Sequence, residues 1–208
     1  MNHLSNPPTT LRSLLRAHVW PLHQQLDRSP TLQALTRPDL DAHTYTRVLA
    51  DFHLAYQHIE PDLLRLEQSI QKPDLPAYRP RLFCIQKEYA LFNGSGPHRR
   101  KPAKPLPPMP KFQCLLSAYL GSRYVLEGAS QGTPHVIHAL QNHHPTWPLH
   151  PEGYWLTLLT HGSAWRRLCQ LLDTPQNEKA VTLSEIKKGA TWIFESFIAS
   201  LTPSTNLK

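Results

Sequence analysis

Tyr124-Val-Leu-Glu-Gly128-Ala-Ser-Gln-Gly132 sets a tyrosine and two glycines four residues apart within an otherwise helical stretch. Leu115, Leu116, Tyr119 and Leu120 precede it and Val136, Ile137 and Leu140 follow, all at helical spacing. Glycine inside a helix costs roughly 1 kcal/mol against alanine. Two of the chain's eight glycines fall here. That density predicts a kinked helix whose bare backbone admits a bulky neighbour.

The segments around it also read as helix. A first helix follows a cap at Thr9 or Thr10, with Leu11, Leu15, Leu22 and Leu26 on one stripe and Pro21 interrupting it. A second opens near Asp41 and carries Tyr45, Val48, Leu49, Phe52, Ala55, Tyr56 and Ile59. Pro61 and the leucines after it extend or restart that helix. A third runs from Leu82 to Asn93-Gly94. The glycine-bearing helix is expected to start near Pro110, a proline suited to a first helical position. Later helices carry Trp155, Leu158 and Leu159, then Trp165, Leu168, Leu171 and Leu172. The last begins at a capping box, Thr182-Leu-Ser-Glu185, and ends near Leu201. No strand alternation or internal repeat competes. The chain reads as all-α, one helical-bundle domain over 1–208, with residues 1–9 flexible, 94–110 a proline-rich basic connector and 202–208 a tail.

Composition narrows the function. The 208 residues hold 22 Lys and Arg against 15 Asp and Glu, a formal charge of +7. That surface suits anionic partners. The basic residues are dispersed, apart from Arg99-Arg100-Lys101 and Lys104, and no nucleic-acid-binding signature accompanies them. No nucleic-acid partner is expected. The three cysteines, Cys84, Cys114 and Cys169, form no C-x-x-C and read as core thiols of a reducing compartment. The N-terminal residues lack the basic flank and apolar run of a signal peptide, and no apolar run is long enough to span a bilayer. A cytoplasmic protein with no membrane partner is the expectation.

Thirteen histidines invite a metal reading. A di-iron bundle needs E-x-x-H pairs, and no glutamate here has a histidine three residues on. The first helix offers another chemistry. His18 and His23 are about 140° apart around the axis, so they face different surroundings. Arg16 lies seven residues before His23, on the same side and roughly 10 Å along. One face thus presents an imidazole for a metal and a guanidinium for a carboxylate, the two things a haem needs from one helix. Arg12 extends that face.

Tyr119-Leu-Gly-Ser-Arg-Tyr124-Val-Leu-Glu-Gly128-Ala-Ser-Gln-Gly132 resembles the distal helix of the haem oxygenase family. Leu22-His23-Gln-Gln-Leu26-Asp27 resembles the family's proximal segment, about 100 residues earlier as in the family. Leu54-Ala-Tyr-Gln-His-Ile-Glu60-Pro, Pro105-Leu-Pro-Pro-Met-Pro110 and Gly162-x-x-Trp165 are similar to further stretches of bacterial members. The resemblance implies a helical bundle with haem between the first helix and the glycine-kinked helix. His23 would be the axial ligand of the haem iron. Arg16 and Arg12 would serve the propionates, and Tyr124 would hydrogen-bond one of them. Gly128 and Gly132 would bring the distal backbone against the opposite haem face and steer attack to a meso edge. Haem would be both cofactor and substrate, cleaved to biliverdin, carbon monoxide and iron with electrons from a ferredoxin or flavoprotein reductase. A bilin-accepting phytochrome is a further possible partner.

The sequence also departs from the family pattern. Thr133 stands where a second glycine is usual, Pro134 follows it, and Ala129 replaces a serine. No carboxylate follows Gly128 to organise water, a task left to Ser130 or to backbone carbonyls, while the Thr133 hydroxyl either donates to oxygen or crowds it. These departures keep a second reading open, a haem-binding protein of this fold that does not cleave its ligand.

Overall fold

The computed structural model describes residues 10–70, 75–93, 102, 104–174 and 181–202. Among them the chain forms α1 (Leu11–Asp27), α2 (Pro30–Ala34), α3 (Ala42–Ile70), α4 (Leu82–Asn93), α5 (Leu115–Gly128), a 3-10 turn (Ala129–Gln131), α6 (Thr133–His143), α7 (Tyr154–Leu159), α8 (Gly162–Asp173) and α9 (Leu183–Leu201). No described residue is in a strand. Among the described residues no helix is long and apolar enough to cross a membrane. Residues 1–9, most of the basic connector and residues 203–208 lie outside the described part.

α9 is the central column, packed against α5, α1 and α3. Its crossing with α5 is close. A β-carbon on Gly121 would collide with the carbonyl of Ile186, and one on Gly189 with that of Ala118. Each glycine therefore lets the other helix's backbone approach. The core lies on both sides of this column. One apolar cluster joins α3, α4, α6, α7 and α9 through Tyr45, Ile59, Ile85, Ile137, Tyr154 and Trp192. A smaller one joins α1, α5, α8 and α9 through Leu15, Val19, Tyr124, Leu168 and Phe194.

Thr10 caps α1, its hydroxyl accepting from Ser13 N at 3.2 Å. The helix is not interrupted at Pro21. Leu15 and Val19 before the proline and Leu22 and Leu26 after it pack into the same cluster, which offsets the missing hydrogen bond. α3 likewise continues through Pro61. α2, absent from the sequence reading, is capped by Ser29, whose hydroxyl accepts from Leu32 N at 3.3 Å, with Pro30 in its first turn.

α5 begins at Leu115 rather than near Pro110. The preceding strap is stapled to two helices before it can coil. The Pro107 carbonyl is 2.8 Å from His58 Nε2 and accepts from Trp192 Nε1 at 3.2 Å. Glu185 accepts from Gln113 N at 2.7 Å. That contact also replaces the expected capping box of α9: the Thr182 side chain makes no cap bond, and Glu185 serves the start of α5 instead. Thr182 N donates to Ser117 Oγ at 2.9 Å, completing a reciprocal tie between the two helix starts.

Candidate functional site

The glycine motif forms a break between two helices. α5 ends at Gly128, one 3-10 turn spans Ala129–Gln131, and α6 starts at Thr133. Pro134 sits in the first turn of α6, where its missing N–H costs nothing. Both Gly128 and Gly132 have ordinary right-handed backbone angles, φ −59° and −84°, so neither is required by conformation. Nor does a steric clash require either glycine, although Gly128 has the closer neighbour. A β-carbon there would stand 3.4 Å from Cζ3 of Trp165, whereas one at Gly132 would meet only the Ala129 carbonyl at 4.0 Å.

A helix break strands backbone carbonyls, and side chains close three of them here. The Leu126 carbonyl accepts from Arg81 Nη1 at 2.6 Å, and Glu127 O accepts from Ser130 Oγ at 2.7 Å. Ala129 O accepts from Thr133 Oγ1 at 3.1 Å. The hydroxyls of Ser130 and Thr133 thus turn back onto the bend. Thr133 is buried at 1% exposure.

The bend has two chemically different faces. Arg123 and Glu127, four apart, look into a buried polar cluster. Glu127 pairs with Arg81 Nη2 at 3.0 Å, Arg123 Nε at 3.0 Å and His161 Nδ1 at 3.3 Å. Burial works to raise the Glu127 carboxyl, but the His161 hydrogen bond and the charges of Arg81 and Arg123 overcome it and leave it at about 2. Tyr56, Tyr78 and Glu60 extend the cluster around Arg81. Sequence reading missed Arg81 and His161 entirely. Their partners are distant in the chain, and neither sits in a local pattern.

Tyr124 and Gly128 occupy the other face, toward α8 and α1. Tyr124 packs against Trp165 with ring centroids 5.0 Å apart. Burial pushes its phenol up, while the guanidiniums of Arg16 and Arg12 act in the opposite direction. The structure therefore brings Arg12, Arg16 and Tyr124 to one corner. Arg16 is exposed and makes no ion pair with a described residue. Arg12 is engaged: its Nη2 and Nε hold both oxygens of Asp173 at 2.8 and 3.0 Å.

His23 stands two turns along α1 from Arg16. Its Nδ1 lies 2.8 Å from Asp27 Oδ2, on the next turn, and its side chain is 50% exposed. Trp20 stacks on the ring at 5.7 Å, and Phe194 of α9 meets it edge-on at 6.1 Å. The Nδ1 edge is turned to the carboxylate, so Nε2 is the nitrogen that a metal would take. His18 faces elsewhere, its Nε2 3.1 Å from Thr191 Oγ1. It lines a cavity of about 820 Å³ with Pro107, Lys187 and Trp192, on a different side of α1 from His23.

No family model matches the sequence, and neither does any curated protein. Among solved structures the chain is similar to the haem oxygenase from Leptospira interrogans, with a TM-score of 0.58 and 16% identity over 91% of this chain and 98% of that one. At that identity the likeness shows a shared fold: the helical bundle described above is the haem oxygenase fold.

Proposed function

We propose that this chain is a haem oxygenase that binds haem between α1 and the Gly128–Gly132 bend and opens it to biliverdin, carbon monoxide and iron. The residues present fit the group. His23 has its Nδ1 tied to Asp27 and its Nε2 free, the donor that haem iron takes. Arg16 and Tyr124 share one corner, a cation and a phenol suited to propionates. The observation that carries the reading is this His23–Asp27 pair on the same helix as Arg16, within a haem oxygenase fold.

When bound, haem supplies the iron that activates oxygen and is itself the molecule oxidised. The chain's part is to orient and to exclude water. His23 fixes one face, and Asp27 holds the imidazole in its tautomer. The break at Gly128–Gly132 removes side chains from the opposite face. Electrons come from an external donor, and the net positive surface suits an acidic ferredoxin or flavoprotein. The product serves iron release or supplies a bilin to a phytochrome.

A second reading is a haem-binding protein of this fold without turnover. Trp165 over Gly128 and the buried, β-branched Thr133 at the break favour it. One experiment separates the readings. The purified protein receives one equivalent of haemin, and its absorption is followed after ascorbate or a ferredoxin system is added in air. A ligated Soret band that decays into the red absorption of biliverdin supports the oxygenase. A band that persists with every donor supports the second reading. No Soret shift removes both.

A further inference from the structure

The face of the bend that haem would cover is already covered. Trp165, in the first turn of α8, holds its ring over the β-position of Gly128: a β-carbon there would be in van der Waals contact with Cζ3 at 3.4 Å and Cη2 at 3.6 Å, which leaves no room for a haem between them. The same ring packs on Tyr124 with centroids 5.0 Å apart. Trp165 therefore bridges the two residues of α5 assigned above to the haem, one for its face and one for a propionate.

The helix that carries the ring is pinned at both ends. His161, immediately before α8, is 2% exposed and bonded to Glu127 at 3.3 Å. Asp173, the last residue of α8, is gripped by two guanidinium nitrogens of Arg12, Nε and Nη2. Between them Leu168 and Leu172 are buried in the cluster with Leu15 and Val19. A movement of α8 as a body would break the His161 bond to Glu127, the Arg12 grip or this packing. The Trp165 side chain is only partly buried and makes no hydrogen bond with a described residue. The ring is held by packing on Tyr124 and the neighbouring apolar cluster, not by a hydrogen bond, so it can leave at less cost than the helix.

We infer that Trp165 is the access residue of this site, a side-chain lid that must rotate off Gly128 before haem enters and then becomes a wall of the occupied pocket. This rests on the haem reading above. It also assigns Arg12 a part different from the one its sequence position implied. Arg12 holds the end of α8 through Asp173, and Arg16, which makes no ion pair with a described residue, is left as the guanidinium at the propionate corner.

A lid that opens rarely leaves a kinetic signature. Binding gated by a prior conformational step has an observed rate that saturates with ligand concentration, and removing the gate restores a linear dependence. The test is stopped-flow mixing of the protein with excess haemin, followed at the Soret band, for wild type, Trp165→Ala and Trp165→Phe. The expected result is saturation in the wild type and a linear rate at least tenfold faster in Trp165→Ala, with Trp165→Phe between them. Circular dichroism checks that each variant is folded, and Trp165→Phe keeps most of the packing should the alanine variant unfold. Equal, linear rates for wild type and a folded variant overturn the lid while leaving haem binding intact. Absence of a Soret band in all three proteins removes the haem reading and the lid with it. A Soret band that is unchanged in His23→Ala removes the site to which this lid belongs.

Discussion

Arg81 Nη2 lies 3.0 Å from Glu127 Oε2, and both side chains are only 1% exposed. The pair sits directly behind the bend, and Arg81 also closes the stranded Leu126 carbonyl. Removing one partner of a buried pair costs roughly 3–5 kcal/mol. Here Glu127 would keep Arg123 and His161, but the Leu126 carbonyl and one carboxylate oxygen would lose their Arg81 donors. Arg81→Met is expected to lose that much in urea unfolding, and the double variant with Glu127→Gln to recover part of it. A loss under about 1 kcal/mol in the single variant would count against the pair's role.

Glu127 also sets an acid limit. Its carboxyl is held at about 2, below the usual 4.5, so its contribution to stability is complete above pH 4.5 and disappears as pH falls toward 2. The shift corresponds to on the order of 3 kcal/mol. Unfolding measured from pH 6 down to 2 is expected to show this loss in the wild type and a flatter curve in Glu127→Gln.

Glu88 predicts the opposite slope. It is fully buried at the far side of the core, and burial raises its carboxyl from 4.5 to about 7, although Tyr45 donates to it at 3.1 Å and acts the other way. A raised acid favours the folded state while it stays protonated. Stability is therefore expected to be highest below pH 4.5 as regards this group, to fall as pH climbs from 4.5 to 7, and to level off beyond. Glu88→Gln should remove that decline. The comparison is thermal unfolding at pH 5 and pH 8, where a wild type and variant that lose equal stability would refute the assignment.

Much of this architecture is legible in the sequence because apolar periodicity reports local faces. α1, α3, α4, α7, α8 and the end of α9 lie where their leucines and aromatics place them. The misreadings share one cause: a residue with good local credentials is taken by a distant partner. Glu185 has the spacing of a capping box, yet Gln113 N claims it from 72 positions away. Pro110 suits a helix start, yet the strap before it is tied to His58 and Trp192. The break itself was readable from Gly128 and Gly132. Its rear support was not, because Arg81 reaches Glu127 across 46 positions and His161 across 34. Gly121 and Gly189 left only a faint signal, small residues set among large apolar ones.

The glycines should separate packing from function. At Gly121 and Gly189 an added methyl would strike the facing helix's backbone, which cannot yield as a side chain would. Gly121→Ala and Gly189→Ala are each expected to destabilise the fold by about 3 kcal/mol or more. Gly132 is exposed, helical in angle and open around its β-position. Gly132→Ala is expected to leave stability unchanged or raise it by up to about 1 kcal/mol. Under the haem reading the same methyl narrows the distal face, so biliverdin formation should slow in a protein that is no less stable. A Gly132→Ala protein with unchanged turnover would mean that this glycine does not face the haem.

The His23–Asp27 pair gives the most direct probe of the proposed site. Asp27 does not reach the ligand itself; it holds Nδ1 and so sets which nitrogen His23 offers. Loss of such a supporting carboxylate typically weakens metal binding by about 10–100-fold. Asp27→Asn is therefore expected to bind haemin more weakly by that factor yet keep a histidine-ligated spectrum, while His23→Ala loses that spectrum. Added imidazole should restore it in His23→Ala and have little effect on the Asp27 variant. If Asp27→Asn binds haemin as the wild type does, the carboxylate is a surface ion-pair partner, and the tautomer of His23 is set by some other contact.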